Sequence, residues 1–405
     1  MLNRVVITGM GIYSCIGTNL EEVTKSLFEG RSGIGIDSNR IDMGFISPLT
    51  GQVPTPNLKG ELTRRQRISM GEESEYAYLA TKEALNNAKI DLSFFEEHEV
   101  GILYGNDSVS KAVIEATDIL REKRDTQLIG SGAIFKSMNS SVTMNLATIL
   151  GIRGVNFTIS AACASGSHAI GLGYMYIQQG LQDMIICGGT QEINPYAMAS
   201  FDGLGVFATA TDQPQKASRP FDVGRTGLVP SGGAATLILE SYESAIGRGA
   251  PILAEVIGYG FSSNGGHIST PNVEGPAIAM RRALEQAHLQ PEDIGYINAH
   301  ATSTPIGDAN EGKAILKVFG SNPYISSTKS MTGHECWMAG ASEIVYSTLM
   351  MRHGFIAPNI NLDRVDDDIR ELNLVSATIK KEFDIYLSNS FGFGGTNSAL
   401  VVKRY

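Results

Sequence analysis

The sequence predicts an α/β protein in which short buried strands alternate with helices. Apolar runs such as VGILYG (100–105) and DMIICGG (183–189) lack the alternating polar residues of a half-exposed strand, so they are typical of strands that are covered on both faces. Segments with helical spacing of apolar residues lie between them. A charged fraction of 18% and 45 glycines also favour a compact α/β enzyme with many tight turns.

The first part of the chain begins with the β-branched run RVVITG (4–9), which ends at glycines and predicts a strand. Residues 31–63 are rich in Gly, Pro, Ser and Asn and are interpreted as a long connection, and residues 214–227 as a polar loop. The other predicted elements, in chain order, are helices at 19–29 and 72–89, a strand at 100–105, helices at 112–120 and 137–150, a strand near 155–159, a helix after Cys163, and strands at 183–189 and 234–240.

From residue 250 the pattern begins again. VVITGMG is echoed by AEVIGYG, VGILYG by IGYINAH, and MIICGGT by IYLSNSF. The predicted elements here are strands at 252–258, 294–299, 324–327 and 385–388, and helices at 275–288, 308–319 and 339–352. The echoes suggest two related units, residues 1–249 and 250–405, that meet without a flexible linker.

The overall charge, the apolar runs and the cysteines limit which binding partners and which cellular compartment we expect for the protein. A formal charge of −10 argues against nonspecific binding to nucleic acid or to an anionic membrane surface. The longest apolar runs are shorter than 18 residues, so we expect no membrane insertion and no export. Cys15, Cys163, Cys187 and Cys336 show no CxxC spacing, which fits a reducing cytoplasm.

One cysteine lies in a segment with the pattern of a nucleophile. In GVNFTISAACASGSHAIGLGYMY (154–176), a β-prone run stops in small residues around Cys163 and resumes at helical spacing. Such a strand, turn and helix would place the thiol at a helix N-terminus, where the macrodipole favours the thiolate. The alternative is a buried structural cysteine, which is the usual role of a lone cysteine in an apolar segment.

Two histidine segments downstream have the same small-residue surroundings. His300 in NAHATSTPIGD (298–308) and His334 in SSTKSMTGHECWMAG (326–340) each follow a strand-like run, and active-site groups converge at the ends of strands. A thiol with two imidazoles suits acyl transfer through a thioester, with neutral Nε2–H groups donating to an enolate oxygen. The histidines share no metal-ligand spacing with carboxylates, so we expect no metal.

Four motifs together resemble a known family. AACASGSHAIG, HATSTPIGD, STKSMTGH and SNSFGFGGTN occur in the order and at the separations found in the elongating β-ketoacyl-[acyl carrier protein] synthases, which are type I/II ketosynthases of the thiolase superfamily. The resemblance covers essentially the whole chain. It implies the thiolase-like fold, in which two βαβαβαββ halves stack as α-β-α-β-α layers, normally in a homodimer.

The resemblance also implies roles for individual residues. Cys163 would take the growing acyl chain from acyl carrier protein, and the enolate formed by decarboxylation of malonyl-carrier protein would attack that thioester. His300 and His334 would support decarboxylation, and the backbone N–H groups of Cys163 and Phe393 would form the oxyanion hole. Lys329 matches the active-site lysine. No bound cofactor is expected, because the phosphopantetheine arm arrives on the carrier protein.

Further residues are implied to bind or support. The hydroxyls expected along the phosphopantetheine arm are those of Thr302, Thr304, Ser269 and Thr270. Phe391 is the expected aromatic residue of the gating loop. The expected supporting carboxylates are Glu343, as the partner of Lys329, and Asp308. The gating loop itself is residues 391–396. The expected docking residues for the carrier protein are Arg64, Arg65, Arg67, Lys123 and Arg124, which would otherwise be a solvated basic surface.

Departures from the family pattern leave the choice of substrate open. Trp337 stands where the family usually has a small residue, and a bulky ring there is expected to reshape the site beside His334. Elongation in type II fatty acid synthesis is the first interpretation. A ketosynthase of a specialised polyene or aromatic polyketide pathway, in some cases a heterodimer with a related subunit, is the second. A non-catalytic chain-length-factor subunit is a third, but such subunits typically lose the nucleophile. His168, in the helix after Cys163, is interpreted as a packing residue.

Overall fold

The computed structural model describes residues 2–405. The strands are β1 (Val5–Tyr13), β2 (Ile34–Ile36), β3 (Leu49–Gly51), β4 (Gly101–Gly105), β5 (Asn156–Ile159), β6 (Met184–Gln191), β7 (Gly233–Ser241), β8 (Ala254–Ser263), β9 (Tyr296–Asn298), β10 (Tyr324–Ser326), β11 (Phe355–Ile356), β12 (Ile379–Lys380), β13 (Ile385–Phe391) and β14 (Thr396–Lys403). The α-helices are α1 (Leu20–Glu29), α2 (Ser38–Asp42), α3 (Arg64–Arg67), α4 (Glu72–Asn87), α5 (Phe94–Glu97), α6 (Lys111–Lys123), α7 (Ala133–Lys136), α8 (Ser141–Leu150), α9 (Ser165–Gln178), α10 (Pro195–Gly203), α11 (Tyr242–Gly247), α12 (Glu274–Ala287), α13 (Pro305–Phe319), α14 (Lys329–Thr332) and α15 (Ala339–His353).

The main sheet has the same strand order in both halves of the chain. Within residues 2–405 its order is β10-β9-β13-β14-β8-β1-β7-β6-β4-β5, and β1 pairs antiparallel with β8 in the middle. Outward from that pair, the first half runs β1-β7-β6-β4-β5 and the second runs β8-β14-β13-β9-β10. The echoed segments therefore occupy equivalent places. The division at residues 249 and 250 itself stays a prediction.

Five layers follow from where the helices pack. The long helices α9 and α15 lie between the two halves of the sheet, because α9 contacts β4, β6 and β14 while α15 contacts β7 and β13. Helices α4 and α8 cover the outer face of the first half, and α12 covers that of the second, with α13 beside it. This is the α-β-α-β-α arrangement, and the predicted thiolase-like fold class is confirmed.

Close packing in the central layer explains why a glycine lies near the start of α15. Every residue of α15 from Ala339 to Met351 is buried, as expected for a helix that is enclosed on all sides. A Cβ at Gly340 would come within 2.5 Å of the Ser167 backbone nitrogen in α9. The close approach of α9 and α15 therefore requires glycine, and it brings the N-termini of both helices together.

Several predicted boundaries were wrong. The 31–63 connection contains β2, α2 and β3, and buried Arg40 ties it down by donating to Leu49 O at 2.8 Å and Ile193 O at 3.0 Å. The helix predicted at 137–150 begins only at Ser141, and strand β14 was not predicted. Among residues 2–405, no helix is both long and apolar enough to cross a membrane.

Candidate active site

The predicted nucleophile lies in a short 3-10 turn, Ala162–Ala164, between β5 and α9. Ala162 has the left-handed φ of 46°, which an alanine adopts only when its surroundings hold it there. The Asp107 carboxylate accepts from Ala162 N at 2.9 Å, and Ser165 Oγ accepts from Ala161 N at 2.8 Å. The strand, turn and helix predicted around Cys163 are therefore present, and the turn is fixed from both sides.

The protonation state expected for this cysteine was wrong. Cys163 is 7% exposed, and burial raises the pKa of its thiol to about 12, with Lys329 opposing and Asp107 adding to the rise. A helix macrodipole stabilises a nearby charge by about 0.3–2 kcal/mol. That is less than the roughly 4 kcal/mol which the rise in pKa represents. The Cys163 side chain is therefore a neutral thiol in this structure.

The two predicted histidines face each other at nearly a right angle. The ring centroids of His300 and His334 are 5.3 Å apart with an interplanar angle of 88°. Burial, followed by the positive charge of Lys329, holds the pKa of each imidazole well below its usual range. Both rings are consequently neutral at pH 7. In each ring Nδ1 is buried without a hydrogen-bond partner among residues 2–405.

Hydrogen bonds to their backbone N–H groups position the two histidines. The partner of His300 is Glu311, which sequence reasoning missed. The Glu311 carboxylate in α13 accepts from His300 N at 2.8 Å and from Ala301 N at 2.6 Å. Asn389 Nδ2 donates to the same carboxylate at 3.0 Å, and burial raises the pKa of Glu311 to about 7. His334 N donates to Val229 O at 2.7 Å. The sequence did offer one signal for Glu311, because a glutamate three residues after Asp308 lies on the same buried face of the helix.

A buried ion pair lies behind the histidines. Lys329 and Glu343 contact each other, and both side chains are fully buried. Burial raises the pKa of Glu343 to about 8, and Lys329 opposes that rise. Glu335, next to His334, is also buried and accepts from Tyr346 Oη at 2.8 Å, and burial raises its pKa to about 7. Lys329 therefore supplies positive charge to a region with several carboxylates.

Nine of the predicted residues line one cavity of about 470 Å³. They are Cys163, His300, His334, Thr302, Thr304, Ser269, Thr270, Phe391 and Phe393. The Thr302 and Thr304 hydroxyls are 3.1 Å apart, and His267 Nδ1 lies 3.1 Å from Thr270 Oγ1. The cavity thus leads from a row of hydroxyls to the thiol.

Asp308 supports the wall of this cavity from behind. Its buried carboxylate accepts from Phe221 N at 2.9 Å and from Ser303 N at 3.1 Å, and Arg225 Nε lies 3.8 Å away. Burial raises the pKa of Asp308 to about 6. Ser303 has the left-handed φ of 73°. The carboxylate therefore holds the strained turn between Thr302 and Thr304.

The glycine-rich loop, residues 391–396, closes the cavity against the nucleophile turn. A Cβ at Gly392 would come within 2.9 Å of Ala161 O, and Gly394 N donates to Ile268 O at 2.7 Å. Phe393 is 37% exposed, so its ring lies at the rim. The loop therefore bridges the nucleophile turn and the segment that carries Ser269 and Thr270.

His168 does more than pack. Its Nδ1 lies 2.6 Å from Tyr259 Oη, and its Nε2 lies 2.8 Å from Thr396 Oγ1 at the end of the glycine-rich loop. Burial lowers the pKa of His168 to about 4, so the ring is neutral. The helix after the nucleophile is thereby hydrogen-bonded to the base of the loop.

The departure from the family pattern at Trp337 lies beside the nucleophile. Trp337 is 4% exposed and packs with Cys163 and Cys336. Its ring centroid is 5.9 Å from that of Phe201 in α10, a residue that sequence reasoning did not single out. The indole therefore packs among buried side chains next to the nucleophile, and whether it reshapes the site stays a prediction.

The predicted docking residues lie on the surface, outside the cavity. Arg64 and Arg65 are exposed on α3, where Arg67 is half-buried. Lys123 ends α6, and Arg124 follows it with the left-handed φ of 51°. The two groups lie on different segments.

Comparison with known proteins assigns the family. The family models described as "Beta-ketoacyl synthase, N-terminal domain" and "Beta-ketoacyl synthase, C-terminal domain" match residues 2–245 and 253–363. The chain is 40% identical over 407 residues to 3-oxoacyl-[acyl-carrier-protein] synthase 1 of Escherichia coli (strain K12), which covers 100% of this chain and 99% of that protein. It is 41% identical over 408 residues to the synthase 1 of Haemophilus influenzae, with 100% of both chains covered.

Solved structures agree. A β-ketoacyl synthase from Burkholderia phymatum superposes with a TM-score of 0.95 at 35% identity, and the ishigamide ketosynthase/chain length factor with a TM-score of 0.93 at 32% identity; each match covers 100% of both chains. Family models, relatives and structures thus cover both halves of the chain. This chain belongs to the β-ketoacyl synthase family.

Proposed function

We propose that the protein condenses an acyl group held on Cys163 with malonyl-[acyl carrier protein], and so elongates the chain by two carbons. One observation carries this proposal: a buried thiol and two neutral imidazoles open onto one cavity that is lined by hydroxyls. A neutral imidazole is suited to donate a hydrogen bond to a developing enolate. The relatives named 3-oxoacyl-[acyl-carrier-protein] synthase support this acyltransferase activity.

In the first step Cys163 Sγ attacks the carbonyl carbon of the acyl thioester. The new sulfur–carbon bond replaces the bond to the carrier, and the proton of the Cys163 thiol goes to the departing carrier thiolate. The backbone N–H groups of Cys163 and Phe393 stabilise the oxyanion. Since Cys163 is a neutral thiol, the attack and the proton transfer are coupled.

In the second step the malonyl group loses carbon dioxide. The electron pair of the broken C–C bond forms an enolate, whose oxygen accepts hydrogen bonds from His300 and His334. The enolate carbon attacks the acyl carbon, the bond to Cys163 Sγ breaks, and the thiolate takes a proton from solvent. Lys329 stabilises the negative charge that develops beside the histidines.

The phosphopantetheine arm of the carrier protein would enter along the hydroxyls of Thr302, Thr304, Ser269 and Thr270, so the enzyme needs no cofactor of its own. An acyl carrier protein is the partner because the relatives' names include it, and one structural neighbour is described as a type II PKS acyl-carrier protein in complex with its ketosynthase. Acyl carrier proteins are acidic, and the five docking residues are basic. We place the reaction in the cytoplasm.

A homodimer is proposed from the outer edge of the sheet. β5 ends the sheet, and Phe157 within it is 54% exposed. Helix α6 has no buried residue, and its Val113 and Leu120 are 46% and 45% exposed. An edge strand with exposed apolar side chains is a surface that another chain covers. Light scattering of the purified chain should give about twice 43.4 kDa, and Phe157→Glu should shift it toward the monomer; a monomeric wild type would favour a heterodimer.

Type II fatty acid synthesis is the proposed pathway. A specialised polyene or aromatic polyketide pathway is the second candidate, and Trp337 beside Cys163 is the observation that favours it. A non-catalytic chain-length-factor role is disfavoured because Cys163 is present and lines the same cavity as the histidine pair.

The direct test is reconstitution. Purified protein is incubated with an acyl-carrier protein and malonyl-carrier protein, and the products are separated by mass. We expect a β-ketoacyl-carrier protein two carbons longer than the acyl substrate, together with one equivalent of carbon dioxide. Acylation without any elongated product would contradict the proposal.

A further inference from the structure

The cavity that holds the reacting groups has a buried end and an exposed end. Cys163 is 7% exposed and Thr302 is 8% exposed, so both lie at the buried end. His267 lies in the segment between β8 and α12 and lines the same cavity, but it is exposed to solvent. The neighbouring residue Ile268 is 74% exposed. His267 therefore lies at the mouth of the cavity.

Among the described residues that line this cavity, His267 is the only exposed one with an ionisable side chain. The others with ionisable side chains are buried or half-buried, and they are Cys163, His300, Glu311 and His334. The Glu311 carboxylate is also occupied by the backbone N–H groups of His300 and Ala301. The part of the mouth that these residues form therefore presents an imidazole and no exposed carboxylate, which suits an anionic ligand.

Hydrogen bonds within the segment decide which nitrogen of His267 carries the proton. Ser269 N donates to Nδ1 at 3.2 Å, and a backbone N–H can only donate. Nδ1 is therefore an acceptor, and the proton of the neutral ring lies on Nε2. Thr270 Oγ1 lies 3.1 Å from the same nitrogen, so its hydroxyl must donate its only proton there. In the described part of the chain the hydrogen bonds of the His267 ring all involve Nδ1, which leaves Nε2–H for a ligand.

The proposed reaction brings an anion to this end of the cavity. A phosphopantetheine arm whose thioester lies at Cys163 has its amides farther along, and its last group before the carrier protein is a phosphodiester. Thr302 and Thr304 are less exposed than His267 and suit the amides, whereas the phosphodiester reaches the mouth. A charged phosphoryl oxygen accepts hydrogen bonds that are about twice as strong as those between neutral groups. The Nε2–H group of His267 is available to donate such a bond, whereas the proton of Thr270 Oγ1 is already used.

We propose that His267 binds the phosphodiester of the carrier-protein arm through Nε2–H. The inference rests on the proposed condensation, because that reaction supplies the arm, and it holds for either candidate pathway. The contact gives the enzyme a means to select acyl groups on a phosphorylated arm over the same acyl groups on unphosphorylated pantetheine.

The test compares acylation of Cys163 by two thioesters that differ only in the phosphate, hexanoyl-pantetheine and hexanoyl-phosphopantetheine. Intact-protein mass follows the acyl-enzyme over time and gives kcat/KM for each thioester. We expect the wild type to prefer the phosphorylated thioester about tenfold, the usual contribution of a hydrogen bond to a charged group. His267→Ala should bring the ratio close to one by slowing only the phosphorylated thioester, mainly through KM.

Two further variants separate recognition from loop structure. His267→Gln keeps a side chain that can accept from Ser269 N and donate to the phosphate, so it should keep most of the preference. His288→Asn changes an exposed histidine at the end of α12, which is not among the residues that line the cavity, and should change neither rate. A wild-type ratio of one, an undiminished ratio in His267→Ala, or an equal loss for both thioesters in that variant would overturn the phosphate proposal. If neither thioester acylates Cys163, the proposed function fails instead.

Discussion

The two halves of the chain share a strand order but contribute different parts of the site. The first half supplies Cys163 at the turn before α9, and the second supplies Trp337 at the equivalent turn before α15. The second half also contributes His300, which lies just after β9, and His334, which lies just after α14. One backbone arrangement therefore carries a nucleophile in one half and the groups that act on its substrate in the other.

The duplicated fold therefore fixes where side chains stand, and the side chains themselves decide the chemistry. Helix N-termini meet in the central layer because α9 and α15 cross at glycines. Which side chain stands there decides whether a turn reacts, donates a hydrogen bond or only packs.

Removing the nucleophile tests the first half alone. Cys163→Ala should abolish condensation, whereas Cys163→Gln should lose condensation yet keep decarboxylation of malonyl-carrier protein, because the histidines in the second half remain. Release of labelled carbon dioxide and formation of the elongated product are measured in parallel. Residual elongation by Cys163→Ala would refute the nucleophile, and a Gln variant inert in both reactions would refute the division between halves.

Removing either imidazole tests the second half alone. His300→Ala or His334→Ala should slow decarboxylation by about 10²–10⁴-fold, the usual contribution of such a group, while acylation of Cys163 falls much less. His353→Ala, at the end of α15, is the matched control and should leave both rates unchanged. A parallel loss of acylation would mean that the histidines act on the cysteine rather than on the malonyl group.

The pH dependence of alkylation shows which effect governs the nucleophile turn. Because burial raises the pKa of Cys163 to about 12, the thiolate fraction and the rate of alkylation by iodoacetamide should rise about tenfold per pH unit from pH 7 to 9. Cys163→Ala gives the background from the other cysteines. A plateau below pH 9 would show that the helix macrodipole outweighs burial.

The buried ion pair tests how the second half is stabilised. Lys329→Met leaves the Glu343 carboxyl buried without its partner and should lower the free energy of unfolding by about 3–5 kcal/mol near pH 8. The pKa of Glu343 is already raised to about 8, so the folded state binds the proton more tightly than the unfolded state. The protonated Glu343 carboxyl therefore contributes its full stability below about pH 4 to 5, near the pKa of an unfolded glutamate. The variant should lose that contribution as the pH rises toward 8 and beyond.

The matched control for that pair is the double variant Lys329→Met with Glu343→Gln. It removes both charges and should recover most of the lost stability. The part of the pH dependence that comes from Glu343 should disappear, while the part that comes from Asp308, Glu311 and Glu335 remains. Urea unfolding at several pH values measures both variants. A Lys329→Met protein as stable as the wild type at pH 8 would show that the pair does not stabilise the fold.

The smallest expected effect concerns the surface of the first half. Reversing charge at Arg64, Arg65 and Arg67 should raise the KM for carrier protein several-fold with little change in kcat, because these side chains lie outside the cavity. Reversal at Lys380, an exposed residue of the second half, is the control. An unchanged KM would remove the docking proposal.

Local patterns in the sequence predicted most of the strands and helices and the turn at Cys163, whereas most of the other residues that line the cavity were implied by the resemblance to the family. They did not reveal Glu311, Phe201 or Asp107, since each acts through contacts with residues distant in the chain. The prediction of a thiolate at Cys163 was wrong for the same reason. The sequence shows that the thiol lies at a helix N-terminus, but the burial that outweighs the helix macrodipole arises only from tertiary packing. Residues 31–63 have too little periodicity to predict their short strands.

The central claim is that one site first holds an acyl group on Cys163 and then transfers it to a decarboxylated malonyl unit. The most direct measurement is a pulse and chase followed by mass spectrometry of the Cys163 peptide and of the carrier protein. After a pulse of acyl-carrier protein we expect the acyl mass on Cys163, and after a chase of malonyl-carrier protein its complete loss, with a matching amount of carrier extended by two carbons. An acyl group found on another residue, or one on Cys163 that the chase does not remove, would contradict the claim.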